Sequence, residues 1–465
     1  MTIGASTVWR VRVGGNASNG AGYDSTISGA GTDYSQQDSP QLSLTDLVCS
    51  GDTTVTSVTG GFTTAMIGNA MKMSGGGATE GYYFVITCTD TNTITVDRTP
   101  GTVVAGTGKV GGAADKWQTV ANNANGAGFK CVAGNIIYIR GSGSELPSSD
   151  DYTTTGFVTP PNGDETDGFV KFIGENGRPR MSSNGLQWYD ANHVWFENLY
   201  VATTGNSNGD LGIIHTSYHS VIKNCVVNTG NYSGLAGINV SYSCGIFGNL
   251  IFSHTSIPSF SADAFGIRCR SYGCRVVGNT IRFCRDSGIV TSLSTQAGGF
   301  FKLNRVYSNA GDGISAQTDD AVGICIEQNV IDGNLGHGIT FPSLIDIAYA
   351  AIFNNIISNH VQSGKKGLNI VNGSTALNDA IKTFVDYNAY YNNTAHFGNI
   401  SAGANDVIDE DPDYVDAANG DFTPQNILLK AGYAPHGGEV WIGAIQPDES
   451  AGGMLRPISS GGGLV

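Results

Sequence analysis

The chain has 465 residues, and its formal net charge of -15 argues against nucleic acid or an anionic membrane surface as a partner. No apolar run approaches the length that spans a membrane, and residues 1–10 lack the charged and apolar regions of a secretory signal peptide. The nine cysteines show no metal-ligand spacing, which favours small buried hydrophobes kept reduced over a disulfide between neighbouring repeats.

Residues 1–42 are polar and rich in glycine, serine and asparagine, with Val8, Trp9 and Val11 among their few apolar side chains. Such a segment cannot bury a core of its own, so the sequence predicts an extended N-terminal arm that lies on a neighbouring subunit or partner. Residues 43–112 alternate short β-prone segments with glycine-rich turns, which predicts a small β domain.

Residues 113–400 are predicted to form the main domain, which begins with a helix near 114–124. Asp115 is a plausible N-cap for this helix, and Trp117 and Val120 lie on its apolar face. A helix at this place would cover the open strand edges at one end of a stack of repeats.

One short pattern recurs between Trp195 and Ile357: an apolar residue, an Asn three positions later, and a β-branched or aromatic residue two positions after that. A Gly-Ile pair lies in most of the intervals. Self-similarity at a fixed period indicates a solenoid, and each repeat has room for two or three short strands with their turns. We therefore predict an all-β fold, a right-handed single-stranded parallel β-helix with regular coils at 186–370. The repeated asparagines are 25 to 30 residues apart and are predicted to stack as a structural ladder: Asn198, Asn224, Asn249, Asn279, Asn304, Asn329 and Asn355.

Residues 401–447 are predicted to close the far end of the coils, and residues 448–465 to form a flexible tail. The closing segment contains an acidic run with Asp409, Asp411 and Asp413. A solvated loop is the ordinary interpretation of such a run. Calcium binding is the alternative, because hard cations prefer several oxygen ligands. No other cofactor is expected.

Two resemblances to known families add to this interpretation. The coils of residues 113–446, their helix-then-strand beginning, and the segments Asp411–Asp416, Asn419–Phe422 and Ile442–Ala444 resemble the right-handed parallel β-helix superfamily. That superfamily includes pectate lyases, other polysaccharide-degrading enzymes and phage tailspikes. This resemblance is specific for the fold and not for an activity.

Residues 8–112 resemble the N-terminal region of β-helix proteins encoded among phage structural genes. The resemblance rests on Val8–Arg12, Gly31–Gln37, Met66–Asn69 and Asp90–Arg98. It implies a virion component, assembled in the host cytoplasm with other virion proteins and usually a homotrimer, such as a tailspike, a tail fibre or a capsid decoration protein.

An enzyme of this fold would carry acidic or basic side chains on the outer face of neighbouring coils. Glycoside hydrolysis needs two carboxyl groups roughly 5 to 10 Å apart, whereas β-elimination needs a base and a group that neutralises the uronate. In the resembling lyases the latter groups are often Arg, Lys and calcium. The catalytic candidates are Asp312, Asp319, Asp320, Glu327 and Asp332. The alternative, purely structural interpretation is that these acidic residues form a solvated face.

Histidines give two further signals. Asp312 and His337 each precede the Gly of a Gly-Ile pair, so they are expected to stack in adjacent coils. His215 and His219 have a spacing that would suit a metal on a helix, but the residues around them indicate strand and turn.

Three functions remain open from the sequence. The first is a non-enzymatic virion protein that presents a rigid β-helix and binds host surface polysaccharides. The second is a polysaccharide depolymerase, either a lyase or a glycoside hydrolase. The third is a self-assembling structural filament.

Overall fold

The computed structural model describes most of the chain, and within that part no helix is long and apolar enough to cross a membrane. The described residues are 4–121, 131–147, 151–154, 162–183, 192–203, 214–230, 236–253, 259, 264–271, 273–291, 299–316, 322–342, 349–370, 382–430, 432–434 and 440–444. The predicted tail at 448–465 therefore lies outside the described residues.

The chain divides into two compact units, a first unit of residues 1–208 and 213–226 and a second unit of residues 209–212 and 227–465. The first unit contains a single short α-helix among its described residues, α1 (Trp117–Ala121), and 3-10 turns at Tyr34–Gln36 and Thr64–Met66. Its strands are β1 (Val8–Val11), β2 (Gly22–Tyr23), β3 (Leu42–Ser50), β4 (Thr54–Thr56), β5 (Ala70–Ser74), β6 (Gly81–Asp90), β7 (Thr93–Val96), β8 (Thr102–Val110), β9 (Ile136–Arg140), β10 (Tyr152–Thr154), β11 (Val170–Glu175), β12 (Arg180–Ser183), β13 (Val194–Glu197), β14 (Tyr200–Thr203), β15 (Ile214–Tyr218) and β16 (Val221–Lys223).

The predicted small β domain is a closed antiparallel barrel with strand order β3-β4-β7-β6-β5-β8. Apolar side chains from alternate strand positions fill it, and Leu47, Phe62 and Met71 are almost completely buried. Closure removes the unpaired strand edges that a small open sheet would expose.

The N-terminal residues differ from the predicted arm, because β1 and β2 belong to the fold of their own chain. Strand β1 pairs in parallel with β9 and antiparallel with β2. Trp9 and Val11 are fully buried, and the Trp9 indole donates a hydrogen bond to Asn135 Oδ1 at 3.0 Å. The prediction of an arm that lies on a neighbouring subunit was therefore wrong for these residues, because this short apolar alternation borrows its core from residues far along the chain.

The remaining strands of the first unit stack in parallel, as the predicted β-helix requires. Strands β9, β11, β13 and β16 form one sheet in register, and β10, β12 and β14 form another. The helix α1 lies within the predicted range. Trp117 and Val120 are buried, and the Trp117 ring packs edge-on to Phe172 with centroids 5.8 Å apart.

The second unit consists of three parallel sheets, so the predicted all-β parallel β-helix is confirmed. It ends with an antiparallel pair, β38-β39, and has 3-10 turns at Ala417–Asn419 and Ile427–Lys430. Its strands are β17 (Val226–Asn228), β18 (Ile238–Tyr242), β19 (Gly245–Phe247), β20 (Leu250–Phe252), β21 (Ile267–Cys269), β22 (Cys274–Val277), β23 (Thr280–Arg282), β24 (Ile289–Thr291), β25 (Gly299–Lys302), β26 (Arg305–Tyr307), β27 (Ile314–Ala316), β28 (Val322–Glu327), β29 (Val330–Asp332), β30 (Ile339–Phe341), β31 (Tyr349–Phe353), β32 (Ile356–Ser358), β33 (Leu368–Ile370), β34 (Lys382–Asp386), β35 (Ala389–Tyr391), β36 (Phe397–Gly398), β37 (Val407–Ile408), β38 (Tyr414–Asp416) and β39 (Asp421–Pro424).

Buried asparagines form a continuous hydrogen-bonded ladder through the second unit. Asn304 shows the pattern: its Nδ2 donates to Asn329 Oδ1 at 2.9 Å and to the Val276 carbonyl at 2.8 Å, and its Oδ1 accepts from Asn279 Nδ2 at 3.0 Å. Each rung thus satisfies groups in the coils before and after it, in a core where an unpaired amide would be costly. The ladder contains Asn249, Asn279, Asn304, Asn329, Asn355, Asn388 and, at its end, Asp406.

Asn198 and Asn224 differ from this pattern and lie in left-handed turns, at φ 58° and 52°. The inward-facing strand residues before them are Phe196 and Ile222. The buried ladder position, three residues further along, is therefore occupied by Leu199 and Cys225, one residue after each Asn. Asn198 Nδ2 instead donates to the carbonyls of Gly174 and Gly177. The register predicted for these two repeats was therefore wrong by one residue, because Trp195 and Val221 are apolar although they face outward.

A second ladder contains a fully buried histidine and was not predicted from the sequence. His360 Nδ1 lies 2.9 Å from Asn393 Oδ1, and its Nε2 lies 3.3 Å from Asn334 Nδ2. Asn334 Oδ1 accepts in turn from Asn309 Nδ2 at 2.9 Å. These partners fit a neutral imidazole with its proton on Nδ1, because Nε2 faces a donor.

The C-terminal segment packs along one face of the coils. Phe422, Leu429 and Ile442 are buried in a cluster with residues of four successive strands, namely Tyr307, Val330, Ile356 and Ala389. The segment 401–447 was predicted to close the far end. Its strand β37 extends the sheet beyond β35, whereas Phe422, Leu429 and Ile442 cover the outer face of the sheet that contains β26, β29, β32 and β35.

We predict that replacing Asn304 by Ala lowers the free energy of unfolding by about 3 kcal/mol, because partners in both neighbouring coils lose a buried hydrogen bond. Asn392 is exposed and has φ 48°, so Asn392→Gly is the matched control, with an expected change below about 0.5 kcal/mol. Chemical denaturation followed by circular dichroism measures both. Equal effects would contradict the ladder.

His360 makes a second prediction about pH. Burial lowers the pKa of His360 from 6.5 to about 4. As the pH falls from 6.5 to about 4, the unfolded chain therefore binds a proton at this histidine that the folded chain does not bind. The free energy of unfolding falls over that range. The variant His360→Asn keeps an amide in the ladder but has no imidazole to titrate. Between about pH 7 and 4.5, we expect its free energy of unfolding to decrease by about 2 kcal/mol less than that of the wild type. Identical pH dependence in the two proteins would contradict this role.

Candidate functional site

The predicted catalytic residues of the second unit lie on different sheets. Glu327 is in β28, where it forms an ion pair with Lys302 of the preceding coil. Asp332 is in β29 of a second sheet, and Asp312 precedes β27 of the third. Asp319 and Asp320 lie outside the described residues, and their role stays a prediction.

Two of these carboxylates are engaged in structural hydrogen bonds. Asp312 Oδ1 accepts from the His337 backbone N–H at 2.7 Å, so these residues lie in adjacent coils as predicted, and burial raises the pKa of Asp312 to about 6. Asp332 accepts from Ser358 and Asn359, both at 2.7 Å, and burial raises its pKa as well. The structure therefore does not bring the described candidates together as one catalytic pair.

The acidic run of the closing segment also has protein partners. Asp409 Oδ1 lies 2.7 Å from His396 Nε2, and Asp411 Oδ1 accepts from the Asp413 backbone N–H at 2.9 Å. Among the described residues, these three carboxylates do not form a group of converging ligand atoms. Calcium binding at this run stays a prediction.

The outer face of one sheet of the first unit carries a different set of polar and aromatic side chains, which are half-buried. The in-register pairing of β11, β13 and β16 places Lys171 beside Trp195, and Glu197 beside Lys223. Both lysine Nζ atoms lie 5.8 Å from the Trp195 ring. Glu197 accepts from the indole N–H at 2.9 Å and pairs with Lys223 at 2.9 Å, while Phe169 packs edge-on to the indole. We call Lys171, Trp195, Glu197 and Lys223 the tryptophan row.

A cleft of about 380 Å³ adjoins the tryptophan row at the start of the same strands. Its main functional groups are the imidazoles of His193 and His219 and the carboxylate of Glu165. His193 Nε2 lies 3.2 Å from His219 Nδ1. We call it the imidazole cleft, and it is lined by Asn162, Gly163, Asp164, Glu165, Asn192, His193, Tyr218 and His219.

Local backbone geometry fixes these side chains. Asp164 and Gly168 exchange backbone hydrogen bonds at 3.0 Å, and Asp164 Oδ1 accepts from the backbone N–H groups of Thr166 and Asp167. This closes a tight turn with Glu165 near its tip. His193 and His219 occupy the same position in successive coils, each with a left-handed backbone at φ 51° and 49°.

The electrostatics favour a neutral imidazole in the cleft. Partial burial lowers the pKa of His193, the neighbouring His219 lowers it further, and the carboxylates of Glu165 and Asp164 partly offset this. Hydrogen bonds from backbone N–H groups hold the pKa of Asp164 below its usual value. The cleft thus combines proton acceptors with fixed negative charge, and Glu165, His193 and His219 have the ligand types that hold a divalent cation.

The sequence contained a signal for the imidazole cleft. His193 and His219 each stand five residues before an Asn of the repeat, in two consecutive coils. In the structure the partner of His219 is therefore one coil away. The side chain of His215, with which His219 was paired by spacing, lies outside the described residues.

No model of a known protein family matches the chain, and no curated protein matches it. Among solved structures it is similar to pectate lyase Pel9A, with 14% identity, 68% of this chain and 88% of that chain covered, and a TM-score of 0.43. For the mannuronan C-5 epimerase AlgE4 A-module of Azotobacter vinelandii, the identity is 13%, the coverage 63% and 92%, and the TM-score 0.33. The periplasmic alginate epimerase AlgG shows 16% identity, 57% and 62% coverage, and a TM-score of 0.29.

The chain is a right-handed parallel β-helix protein. At these identities the similarities concern the fold alone. The chemistry of the β-helix must be argued from its own side chains.

Proposed function

We propose that the protein binds an acidic polysaccharide along the tryptophan row and cleaves it at the imidazole cleft. The observation that carries this proposal is the placement of an indole, with a lysine on each side, directly beside a cleft that holds two imidazoles and a carboxylate.

The tryptophan row supports sugar binding. The indole of Trp195 offers an apolar plane, and its N–H is already bonded to Glu197, so the ring is held in one orientation. Lys171 provides positive charge for the carboxylates of uronate residues, whereas the charge of Lys223 is paired with Glu197. The strands beneath are paired in register, which gives a rigid surface along which several sugar units can lie.

The imidazole cleft supports chain cleavage by β-elimination. A neutral imidazole takes the proton from carbon 5 of a uronate, next to its carboxylate. The electron pair released forms the double bond between carbons 4 and 5, and the bond from carbon 4 to the glycosidic oxygen breaks. The oxygen keeps the electron pair of that bond and takes the proton of the newly formed imidazolium, which returns the imidazole to its neutral form. Lys171 of the tryptophan row would lower the energy of the negative charge that develops on the carboxylate.

The depolymerase hypothesis is thus preferred to the virion interpretation. That interpretation placed residues 1–42 on a neighbouring subunit, whereas β1 and β2 lie in the fold of their own chain. Attachment to a virion, trimer formation, host polysaccharide binding and filament assembly stay predictions.

The test is incubation of the purified protein with polygalacturonate, alginate and a neutral glucan. We expect ultraviolet absorbance from unsaturated uronate ends with at least one acidic polymer and none with the glucan. Trp195→Ala should raise KM about tenfold through lost stacking, equivalent to about 1.4 kcal/mol. His193→Asn, which tolerates the left-handed backbone, should lower kcat by about 100-fold or more.

Phe384→Ala is the matched control, because this aromatic ring is 40% exposed on the second unit and lies in neither the tryptophan row nor the imidazole cleft. It should leave both constants unchanged. Absence of cleavage and binding with every acidic polymer would contradict the proposal, as would activity that survives both Trp195→Ala and His193→Asn.

A further inference from the structure

We infer that Glu165, His193 and His219 form a binding site for one divalent transition-metal ion of the zinc type. One ligand atom from each residue lies within 4.8 Å of the other two, and no other group of three or more His, Cys, Asp or Glu residues in the described part of the chain meets this criterion.

The distance between the imidazole nitrogens matches a shared metal. His193 Nε2 and His219 Nδ1 are 3.2 Å apart. Two nitrogens bound tetrahedrally to zinc at about 2.0 to 2.1 Å are separated by about 3.3 Å. The alternative is a plain hydrogen bond between one protonated and one bare nitrogen, which uses the same separation but leaves Glu165 without a role.

The local fold holds the three ligands in place before any metal arrives. The Asp164–Gly168 turn fixes the backbone on both sides of Glu165. His193 is joined to the next coil by its backbone N–H, which donates to the Tyr218 carbonyl at 2.9 Å. Both histidines have a left-handed backbone, which is the geometry of this turn in the following coils as well, at Ser243 and Gly273.

The ligand types select the metal. Imidazole nitrogen suits zinc and its first-row neighbours, whereas calcium prefers six to eight oxygen ligands. Two histidines and one glutamate leave a fourth tetrahedral position, and Glu165 and His219 are exposed at the mouth of the imidazole cleft. This inference does not rest on the proposed function, and zinc bound to the facing nitrogens of His193 and His219 would block the proton transfer proposed for cleavage, so the metal-free protein is the form that would cleave.

The experiment is calorimetric titration of the full-length, metal-free protein with zinc chloride, with cobalt chloride as a spectroscopic probe. We expect one zinc ion per chain. We also expect cobalt to give the visible absorption of a four-coordinate site. His193→Asn and His219→Asn remove a ligand while tolerating the left-handed backbone, and each should weaken zinc binding at least tenfold, about 1.4 kcal/mol. Glu165→Gln should weaken it in the same direction.

His337→Asn in the second unit is the control and should bind zinc like the wild type. Circular dichroism checks that each variant is folded. Absence of zinc binding by the wild type would overturn the inference, as would wild-type affinity in both His193→Asn and His219→Asn. Zinc binding without any polysaccharide cleavage would uphold it and contradict the proposed function alone.

Discussion

In-register parallel pairing between successive coils is the constraint on which the rest of the structure depends. It brings residues about one repeat apart into contact, so that Trp195 pairs with Val221 and Ile281 with Val306. Inside the second unit this stacking produces the asparagine ladder. On the outside of the first unit it produces the pair of imidazoles and the tryptophan row.

Interior and exterior positions obey different rules under this constraint. A buried amide such as Asn304 needs a partner in the coil before it and another in the coil after it, so neither neighbour can change independently. Outward-facing strand residues must only keep their position in the repeat, and the type of side chain is not restricted. Lys171, Trp195 and Val221 therefore differ completely in chemistry although they occupy equivalent places, and function can be built on them without disturbing the core.

The sequence was sufficient for the fold because ladder residues recur in it visibly. A small β domain at 43–112 and a helix near 114–124 were also predicted, since their apolar alternation is local, but the closure of that domain into a barrel was not. The burial of Trp9 and Val11 was not predicted, because their partners lie far along the chain: Trp9 packs edge-on to Tyr82 and Phe84, and β1 pairs with β9. The register of Asn198 was wrong for a related reason: Trp195 faces outward and is half-buried, but in the sequence alone it looks like a core residue.

The candidate site was harder to predict than the fold. Acidic residues close together in sequence, such as Glu327 and Asp332, point from different sheets and have separate partners. His193 and His219 are far apart in sequence and meet through stacking. A search by repeat position, and not by local spacing, would have found them.

The most direct test of the account is a crystal structure of the protein grown with zinc chloride and recorded at the zinc absorption edge. Coil stacking as described predicts one anomalous peak at about 2.0 to 2.2 Å from Glu165, His193 and His219. A structure in which the two imidazoles lie apart, or in which zinc binds elsewhere and leaves them empty, would contradict it.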